Sequence, residues 1–363
     1  MIKIGLKIGS AIILATLSAC SASNDGGEAA VASASDSKYL SQPLVQDIYT
    51  ADPSAHVWAD GRIYVYPSHD IDAGVAEDDL GSHFAMRDYR VLSMDKIGGK
   101  VTVHDVALDI SDVPWAGRQM WAPDAAYKDG TYYLYFPVKD KSDIFRMGVA
   151  TSRSPTGPFK AQPAPMKGSY SIDPNVFKDE DGAHYMIFGG IWGGQLQKWV
   201  SGSYDAKGSN SDLGKPDEPA LTPKIAKLSG DMLEFAETPR DLVILDEGGK
   251  QLKAGDTARR FFEGAWVFKR KGTYYLTYST GDTHFLVYAT AETPYGPFTY
   301  NGKIMEPVEG WTTHHSIVPV GDKWYLFYHD TQLSGKTHLR NVKVTEMNFN
   351  ADGSIQTIKP LKK

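Results

Sequence analysis

The stretch ADPSAHVWADGRIYVY (51–66) joins an Asp-Pro pair to an Asp-Gly turn and a run of aromatic and β-branched residues. IYVY directly follows the turn and is typical of a β-strand, because such side chains fit a half-buried pleated surface. Asp52 stands nine residues before Gly61, the glycine of the turn. A single Asp-Pro pair indicates only a loop, so the carboxylate becomes informative only if its distance from the turn recurs.

Turns followed by aromatic strands recur along the chain. Five stretches have this form: ADGRIYVYP (59–67), KDGTYYLYFP (128–137), DEDGAHYMIFGG (179–190), KRKGTYYLTYS (269–279) and VGDKWYLFYHD (320–330). A second motif occurs twice, as ATSRSPTGPFK (150–160) and ATAETPYGPFT (289–299). No convincing amphipathic helix separates the units. Short strands with this internal similarity predict an all-β fold, a five-bladed β-propeller.

An all-β sandwich with coincidentally similar hairpins is the alternative fold. The five turn glycines are unevenly spaced, which indicates that the loops between strands carry insertions. The polar stretch SGSYDAKGSNSDLGKPDEPA (201–220) is one such insertion.

Two further acids repeat the spacing of Asp52. Asp173 and Glu263 each stand nine residues before the turn glycine of their own repeat. Equivalent positions on the innermost strands of a propeller face one another around the central axis. The spacing therefore predicts that the three carboxylates share one cavity.

The other two repeats place different side chains near the same rim. Trp121 takes the acid position in the second repeat, as a cavity residue or as core. Asp124, three residues later, is interpreted as structural or as a residue that supports the cavity side chains from behind. In the fifth repeat His314 precedes the turn glycine by seven residues. Neighbouring strand residues point to opposite faces, so only one of His314 and His315 faces the cavity. Zinc is disfavoured because no cysteine set or spaced histidine set accompanies them.

Clustered carboxylates need a functional reason, because like charges and burial raise their pKa values. One protonated and one ionised acid are the arrangement that cleaves a glycosidic bond. A third carboxylate can tune the pKa of the acid and hold it in place. A calcium site built from the three acids is the main alternative, since hard cations bind carboxylate oxygens.

The N-terminus is typical of a bacterial export signal. Lys3 and Lys7 precede a short apolar stretch that ends in LSAC, and Cys20 is the only cysteine. A lone cysteine in this position resembles a lipobox, so residues 1–19 are predicted to be a lipoprotein-type signal peptide. Small polar residues then predict a flexible tether over 20–40, with Cys20 lipidated. A single cysteine leaves no intrachain disulfide.

The sequence therefore predicts an exported protein held at the bacterial cell envelope, in the periplasm or at the outer membrane. Secretion as a soluble protein with an incidental cysteine is the alternative. The folded catalytic domain is predicted over 41–363, and only the lipid on Cys20 is expected to contact a membrane. The net charge of −6 argues against a nucleic-acid partner, whereas 20 Tyr and 8 Trp suit β-structure and sugar stacking alike.

At these residues the sequence resembles glycoside hydrolase family 43. The matching pieces are TADPSAHVW, WAPDAAYKDGTYYLYF, SIDPNVFKDEDG, FFEGAWVFKRKGTYYLTYSTGDTH, YGPF, TTHHSIV and HLRNVKVTEMNFNADGSI. The likeness covers roughly residues 45–363. It implies a five-bladed β-propeller and inversion at the anomeric carbon.

The resemblance also implies roles for single residues. Asp52 would be the general base, Glu263 the general acid, and Asp173 the residue that orients the acid and modulates its pKa. His314 would lie at the centre of the channel, near a calcium ion that it contacts through water. Arg340 matches an arginine that reaches the pocket in many members.

PSHD, HFAMRDY, VPWAGRQMWAPD, GGIWGGQLQ and STGDTHFLVYAT resemble the β-1,4-xylosidase branch of the family. The expected reaction releases xylose from β-1,4-xylo-oligosaccharides of plant hemicellulose. The substrate-binding residues would be Trp121, Trp192, Arg340 and His69. An α-L-arabinofuranosidase or a bifunctional enzyme is the first alternative. A non-catalytic sugar-binding propeller that has lost an acid is the second.

Overall fold

Each of the five turn-and-strand units lies in a sheet of its own. The computed structural model describes residues 42–211, 213–311 and 314–360. Blade one contains β1 (Tyr49–Val57), β2 (Ile63–Asp70), β3 (Asp88–Met94) and β4 (Thr102–Asp109). Blade two contains β5 (Ala116–Met120), β6 (Asp124–Lys128), β7 (Thr131–Asp140), β8 (Phe145–Ser152) and β9 (Lys160–Ala161).

The remaining three sheets follow in chain order. Blade three contains β10 (Asn175–Lys178), β11 (His184–Phe188), β12 (Lys224–Lys227) and β13 (Arg240–Asp241). Blade four contains β14 (Ile244–Leu245), β15 (Glu263–Arg270), β16 (Thr273–Ser279), β17 (Leu286–Ala291) and β18 (Phe298–Met305). Blade five contains β19 (His315–Val320), β20 (Lys323–Asp330) and β21 (Asn341–Met347). Helix in the described ranges is limited to the 3-10 turns Ile110–Asp112, Trp192–Gly194 and Leu196–Trp199.

The innermost strands close into a ring. β1, β6, β10, β15 and β19 contact one another in that order, and β19 returns to β1. The N-terminal and C-terminal parts of the propeller are also hydrogen-bonded to each other. Leu44 N–H donates to Val342 O at 2.8 Å, and Thr50 N–H donates to Arg340 O at 2.9 Å. The five-bladed β-propeller predicted from the repeats is confirmed.

Alternating side chains bury both faces of each blade. In β7, Leu134 and Phe136 pack in a cluster shared with blade one, whereas Tyr133 and Tyr135 pack in a cluster shared with blade three. This is the period of two expected of a strand with covered faces. Fully burying one such side chain stabilises the fold by about 1.5–3 kcal/mol.

The edges of the inner strands face the axis, where their backbone N–H groups need partners. Side chains from neighbouring blades supply them. Ala55 N–H donates to Ser316 Oγ at 3.0 Å, and Val267 N–H donates to Asn175 Oδ1 at 2.8 Å. These cross-blade bonds fill the axis and fix the relative positions of the strands that carry the acids.

The predicted insertion 201–220 falls in the connection between β11 and β12. The predicted signal peptide 1–19 and the tether 20–40 with Cys20 lie outside the described residues. Within the described part of the chain, no helix has the length and apolar character needed to cross a membrane.

Candidate active site

Two of the three acids have an unusual backbone conformation. Asp52 has φ 48° and Asp173 has φ 58°, both in the left-handed region, and a proline follows each. A residue before proline normally adopts an extended conformation, so both backbones are held at a cost of about 1–3 kcal/mol. Such strain is concentrated at functional sites, where the surrounding structure imposes it.

The backbone conformation beside Glu263 requires the glycine that follows it. Gly264 has φ 67°, and a Cβ there would lie 3.2 Å from His314 Cδ2. Both β1 and β15 carry a bulge beside the acid, between Ala51 and Ser54 and between Glu263 and Trp266. Bulges redirect side chains next to active sites, and here they turn carboxylates towards the axis.

The carboxylates of Asp52, Asp173 and Glu263 line one cavity of about 600 Å³ at the end of the propeller axis. Its wall includes five aromatic side chains, namely Phe84, Trp121, Trp192, Phe262 and Trp311. The spacing prediction therefore agrees with the geometry. A cavity with apolar walls and a few convergent polar groups is the usual form of a small-molecule site.

Asp52 is 7% exposed and is surrounded by donors and cations. Ser68 Oγ donates to its Oδ2 at 2.7 Å, and Arg340 Nη1 donates to its Oδ1 at 2.9 Å. The Asp52 backbone N–H donates to His329 Nδ1 at 2.9 Å. Burial alone would raise the pKa of Asp52, but the charge of Arg340 and the hydrogen bonds outweigh it and lower the pKa to about 2. Asp52 is therefore ionised at neutral pH.

Asp173 has the opposite protonation behaviour. It is 3% exposed, and burial together with the nearby carboxylates of Glu263 and Asp52 raises its pKa well above the ordinary value. Its Oδ2 accepts a 3.0 Å hydrogen bond from Gly264 N–H, directly after Glu263. Asp173 is thus tied to Glu263 both through the backbone and through charge, and the pair titrates together.

His314 and His315 point to opposite faces, as the strand period requires. His314 Nδ1 lies 3.8 Å from Asp52 Oδ1 and 4.0 Å from Asp173 Oδ1, in the cavity wall. Burial lowers its pKa, so its imidazole is neutral at neutral pH. His315 is fully buried and its Nε2 lies 2.6 Å from Thr277 Oγ1.

The predicted substrate-binding residues divide into two groups. Trp121, Trp192 and Arg340 line the cavity. Trp121 Nε1 donates to Phe84 O at 2.8 Å, which fixes its ring. His69 is not among the described residues that line the cavity, and its Nδ1 lies 2.5 Å from Asp88 Oδ1.

The prediction that Asp124 is structural agrees with its contacts. It is 1% exposed, and its Oδ2 accepts from Asn175 Nδ2 at 3.2 Å and from Val176 N–H at 2.5 Å. His56 Nε2 lies 2.7 Å from its Oδ1. Asp124 therefore joins blades one, two and three below the cavity.

Sequence reasoning missed several residues around the acids. Ser68 carried a usable signal, because it stands seven residues after a turn glycine, in the part of β2 that faces the acid position. Asp70 follows the predicted His69 directly. His329 also carried a usable signal, because it stands eight residues after the turn glycine of the fifth repeat, as His69 does in the first. Trp311 lies before the fifth turn-and-strand stretch, and the repeat gave no signal for it.

A directly bound calcium ion needs six to eight oxygen ligands. Within the described ranges, no group of three or more His, Cys, Asp or Glu residues is arranged to hold a metal ion. The Asp52 carboxylate already has the Arg340 guanidinium as its cation. The residues present do not fit a directly coordinated ion, so no chemical step is assigned to a metal.

Known proteins resemble this chain over most of its length. The family model for glycosyl hydrolases family 43 matches residues 52–355. A protein named xylosidase/arabinosidase from Bacteroides ovatus is 56% identical over 317 residues, which cover 87% of this chain and 96% of that protein. A β-xylosidase from Xylanibacter ruminicola is 50% identical over 314 residues, covering 86% and 97%.

A solved structure extends the likeness to three dimensions. It is a family 43 β-xylosidase/α-arabinofuranosidase from a compost microbial metagenome, in complex with xylotriose and in calcium-free form. It is 64% identical, with a TM-score of 0.87, and the match covers 89% of this chain and 98% of that one. A non-catalytic propeller would have lost an acid, whereas all three line the cavity here. The chain belongs to glycoside hydrolase family 43.

Proposed function

We propose that the protein is an inverting β-1,4-xylosidase that releases xylose from xylo-oligosaccharides of plant hemicellulose. The observation that carries the proposal is the opposite protonation of acids within one aromatic-lined cavity. Asp52 is ionised beside Arg340, while Asp173 and Glu263 repel each other on the opposite side. The names of the relatives and the xylotriose bound to a similar structure support xylosides as the substrate class.

The proposed reaction uses two of the acids directly. Glu263 donates a proton to the leaving glycosidic oxygen, and the Asp52 carboxylate removes a proton from the water that attacks the anomeric carbon. The charge of the transition state is that of an oxocarbenium ion, which surrounding carboxylates stabilise. Water attacks on the face opposite the leaving group, so the sugar is released with inverted configuration.

Asp173 acts through Glu263 in this proposal. Its carboxyl holds Gly264 N–H and so fixes the backbone that carries the acid. Mutual repulsion favours keeping a proton on the Asp173–Glu263 pair at neutral pH. That proton is the one which the leaving group needs.

The aromatic walls are proposed to hold the sugar rings. Trp121 packs against Phe145 at a ring-centroid distance of 4.6 Å. Trp192 packs against Trp311 at 6.0 Å and an interplanar angle of 25°. Stacking on such faces gives affinity, and the acids in the same cavity determine which bond is cleaved.

An α-L-arabinofuranosidase, or an enzyme with both activities, is the second candidate. The 56% identical relative from Bacteroides ovatus is named for both activities, as is the 64% identical structure, which favours this candidate. Xylopyranose and arabinofuranose present similar hydroxyl groups, so one cavity can accept both.

The test is proton NMR of the products from xylo-oligosaccharides and arabinan oligosaccharides. The expected first product is α-xylose from the non-reducing end, which reports sugar, end and stereochemistry together. Initial β-xylose would contradict inversion. Release of arabinose with intact xylo-oligosaccharides would favour the second candidate, and no release from either would refute both.

Calcium is proposed only as an ion held through water. His314 is neutral and lies about equally far from Asp52 and Asp173, so waters on an ion could bridge to it. The similar structure from the compost metagenome is a calcium-free form, which supports testing this ion first. In this arrangement the ion would offset the negative charge of the cavity and order its waters.

Export and lipid anchoring are also proposed, on the sequence of residues 1–20 alone. Cys20→Ser should move the protein from the membrane fraction to the soluble fraction without changing its specific activity. Wild-type protein that is fully soluble after export would contradict the lipid anchor.

A further inference from the structure

Asp70 is the last residue of β2 and is only 2% exposed. Its carboxylate accepts three hydrogen bonds from a single residue, Arg340. Oδ2 accepts from the Arg340 backbone N–H at 2.8 Å and from Nε at 2.9 Å, and Oδ1 accepts from Nη2 at 2.8 Å. A bidentate pair with an added backbone bond fixes both the place and the plane of the guanidinium.

The remaining arm of the guanidinium reaches Asp52. Arg340 Nη1 donates to Asp52 Oδ1 at 2.9 Å, and the guanidinium carbon lies 4.7 Å from the centroid of the Phe84 ring. Because the guanidinium is planar and rigid, its contact with Asp70 determines where Nη1 points. Asp70 itself is not among the described residues that line the cavity.

We propose that Asp70 is a positioning residue, which fixes Arg340 so that this arginine holds the Asp52 carboxylate anionic and in one orientation. The inference rests on the proposed role of Asp52 as general base. The groups that face Asp52 with charge or a titratable proton are Arg340, His329, His314, Asp173, Glu263 and Tyr89. Arg340 is the permanent cation in this set, so its placement matters most.

A purely structural role is the alternative, since the same bonds tie β2 to the start of β21. A structural role would lower stability and leave turnover intact. A positioning role makes the effect of Asp70 on turnover depend on Arg340. A double-mutant cycle separates the two, because residues that act through one another are not additive.

The experiment measures kcat and KM for wild type, Asp70→Asn, Arg340→Ala and the double variant, on p-nitrophenyl xyloside and xylobiose. A misplaced catalytic group costs about 10²-fold, so D70N should lower kcat by that order on both substrates, because the base serves both. In the R340A background, D70N should have no further effect on kcat. Wild-type kcat in D70N, or additive losses in the double variant, would overturn the inference.

Asp330→Asn is the matched control. Asp330 is 4% exposed and pairs with the buried Lys343, Oδ2 to Nζ at 2.5 Å, but it does not line the cavity. D330N should lower the melting temperature and keep the wild-type kcat. A D330N variant with the kcat loss of D70N would show that any buried ion pair has this effect, and would overturn the inference.

If D70N does not fold, the Arg340→Lys variant tests the inference instead. One ammonium cannot reproduce the fork that spans both carboxylates, so a folded R340K should lose kcat on both substrates. Full kcat in R340K would overturn the inference. A wild-type protein inactive on all xylosides would instead refute the proposed function, so the two failures are distinguishable.

Discussion

The Asp52 side and the Asp173 side of the cavity start from the same repeat position and differ in charge. Around Asp52 the cation Arg340 outweighs burial and lowers the carboxyl pKa to about 2. Around Asp173 burial and the charges of Glu263 and Asp52 outweigh Arg340 and raise the pKa. The repeat thus determines where a carboxylate stands, and its neighbours determine whether it carries a proton.

The deciding neighbour of Asp52 comes from a part of the chain that the repeat does not specify, whereas that of Asp173 is another repeat position. Arg340 precedes β21 and is 288 residues from Asp52 in sequence. Glu263 reaches Asp173 from the adjoining blade, and the Gly264 N–H bond couples the two. This asymmetry is what the proposed mechanism uses, with a base on one side and an acid on the other.

Removing the ionised side should have the largest effect. Asp52→Asn keeps the shape of the side chain and removes the base, so kcat should fall by about 10²–10⁴-fold on every xyloside. Circular dichroism should show a folded protein. The loss of kcat should be equal for substrates with good and poor leaving groups, because both kinds need the attacking water to be activated.

Azide can replace the water that Asp52 activates. Rescue of D52N by azide should give an α-xylosyl azide, identified by NMR, because attack still comes from the face opposite the leaving group. A β-configured product would contradict inversion, and the role of Asp52 as general base would then be withdrawn.

Removing the acid should have an effect that depends on the leaving group. Glu263→Gln should lose about 10²–10⁴-fold on xylobiose, whose leaving alcohol needs a proton. The loss should be much smaller on an aryl xyloside with an acidic phenol, which departs without protonation. The ratio of the two kcat/KM losses is the measurement, and Asp52→Asn is the control with a ratio near unity. Equal losses for E263Q would indicate a structural role.

The difference between the two sides of the cavity could be predicted from the sequence only in part. The spacing to the turn glycine located all three acids, because identical strand offsets place residues at the same height on the axis. Strand alternation predicted that at most one of His314 and His315 faces the cavity, and the family resemblance implied that this one is His314. Both rules are local, and a single chain contains enough repeats to apply them.

Partners that come from distant, unrepeated segments could not be predicted in the same way. PSHD led to the prediction that His69 binds substrate and gave no signal for its neighbour Asp70, which the structure pairs with Arg340. Neighbouring strand residues point to opposite faces, and nothing in PSHD alone indicates which face is inside. Asp70 and Arg340 are 270 residues apart in sequence. They form a pair only because the first and last blades meet where the propeller closes.

The two sides should also respond oppositely in stability. Asp173 has a folded pKa raised above the ordinary 3.8, so its stabilising contribution is complete below about pH 4 and is lost as pH rises through the folded pKa. At neutral pH the buried Asp173 carboxyl therefore destabilises the fold, because this group ionises more easily in the unfolded chain than in the folded protein. Asp173→Asn should therefore raise the melting temperature at pH 7 and have little effect at pH 3.

Asp52→Asn is the matched opposite. The Asp52 pKa is lowered from 3.8 to about 2, so its contribution to stability is present above about pH 4 and is lost as pH falls towards 2. D52N should therefore lower the melting temperature at pH 7. Calorimetry of both variants over this range measures the asymmetry directly. Shifts of the same sign in both would contradict it.

The smallest expected effect concerns His314, which lies between the Asp52 and Asp173 sides of the cavity. If a water-held calcium ion offsets the cavity charge there, chelation should reduce kcat or the melting temperature modestly, and added calcium should restore it. His314→Ala should weaken both the activity and the response to calcium. His315→Ala is the control on the opposite strand face, where the ring packs beside Thr277, and it should lower stability while leaving the calcium response intact. Full activity and unchanged melting after chelation, with no calcium binding by calorimetry, would mean that Arg340 alone balances the charge and that His314 is an ordinary wall residue.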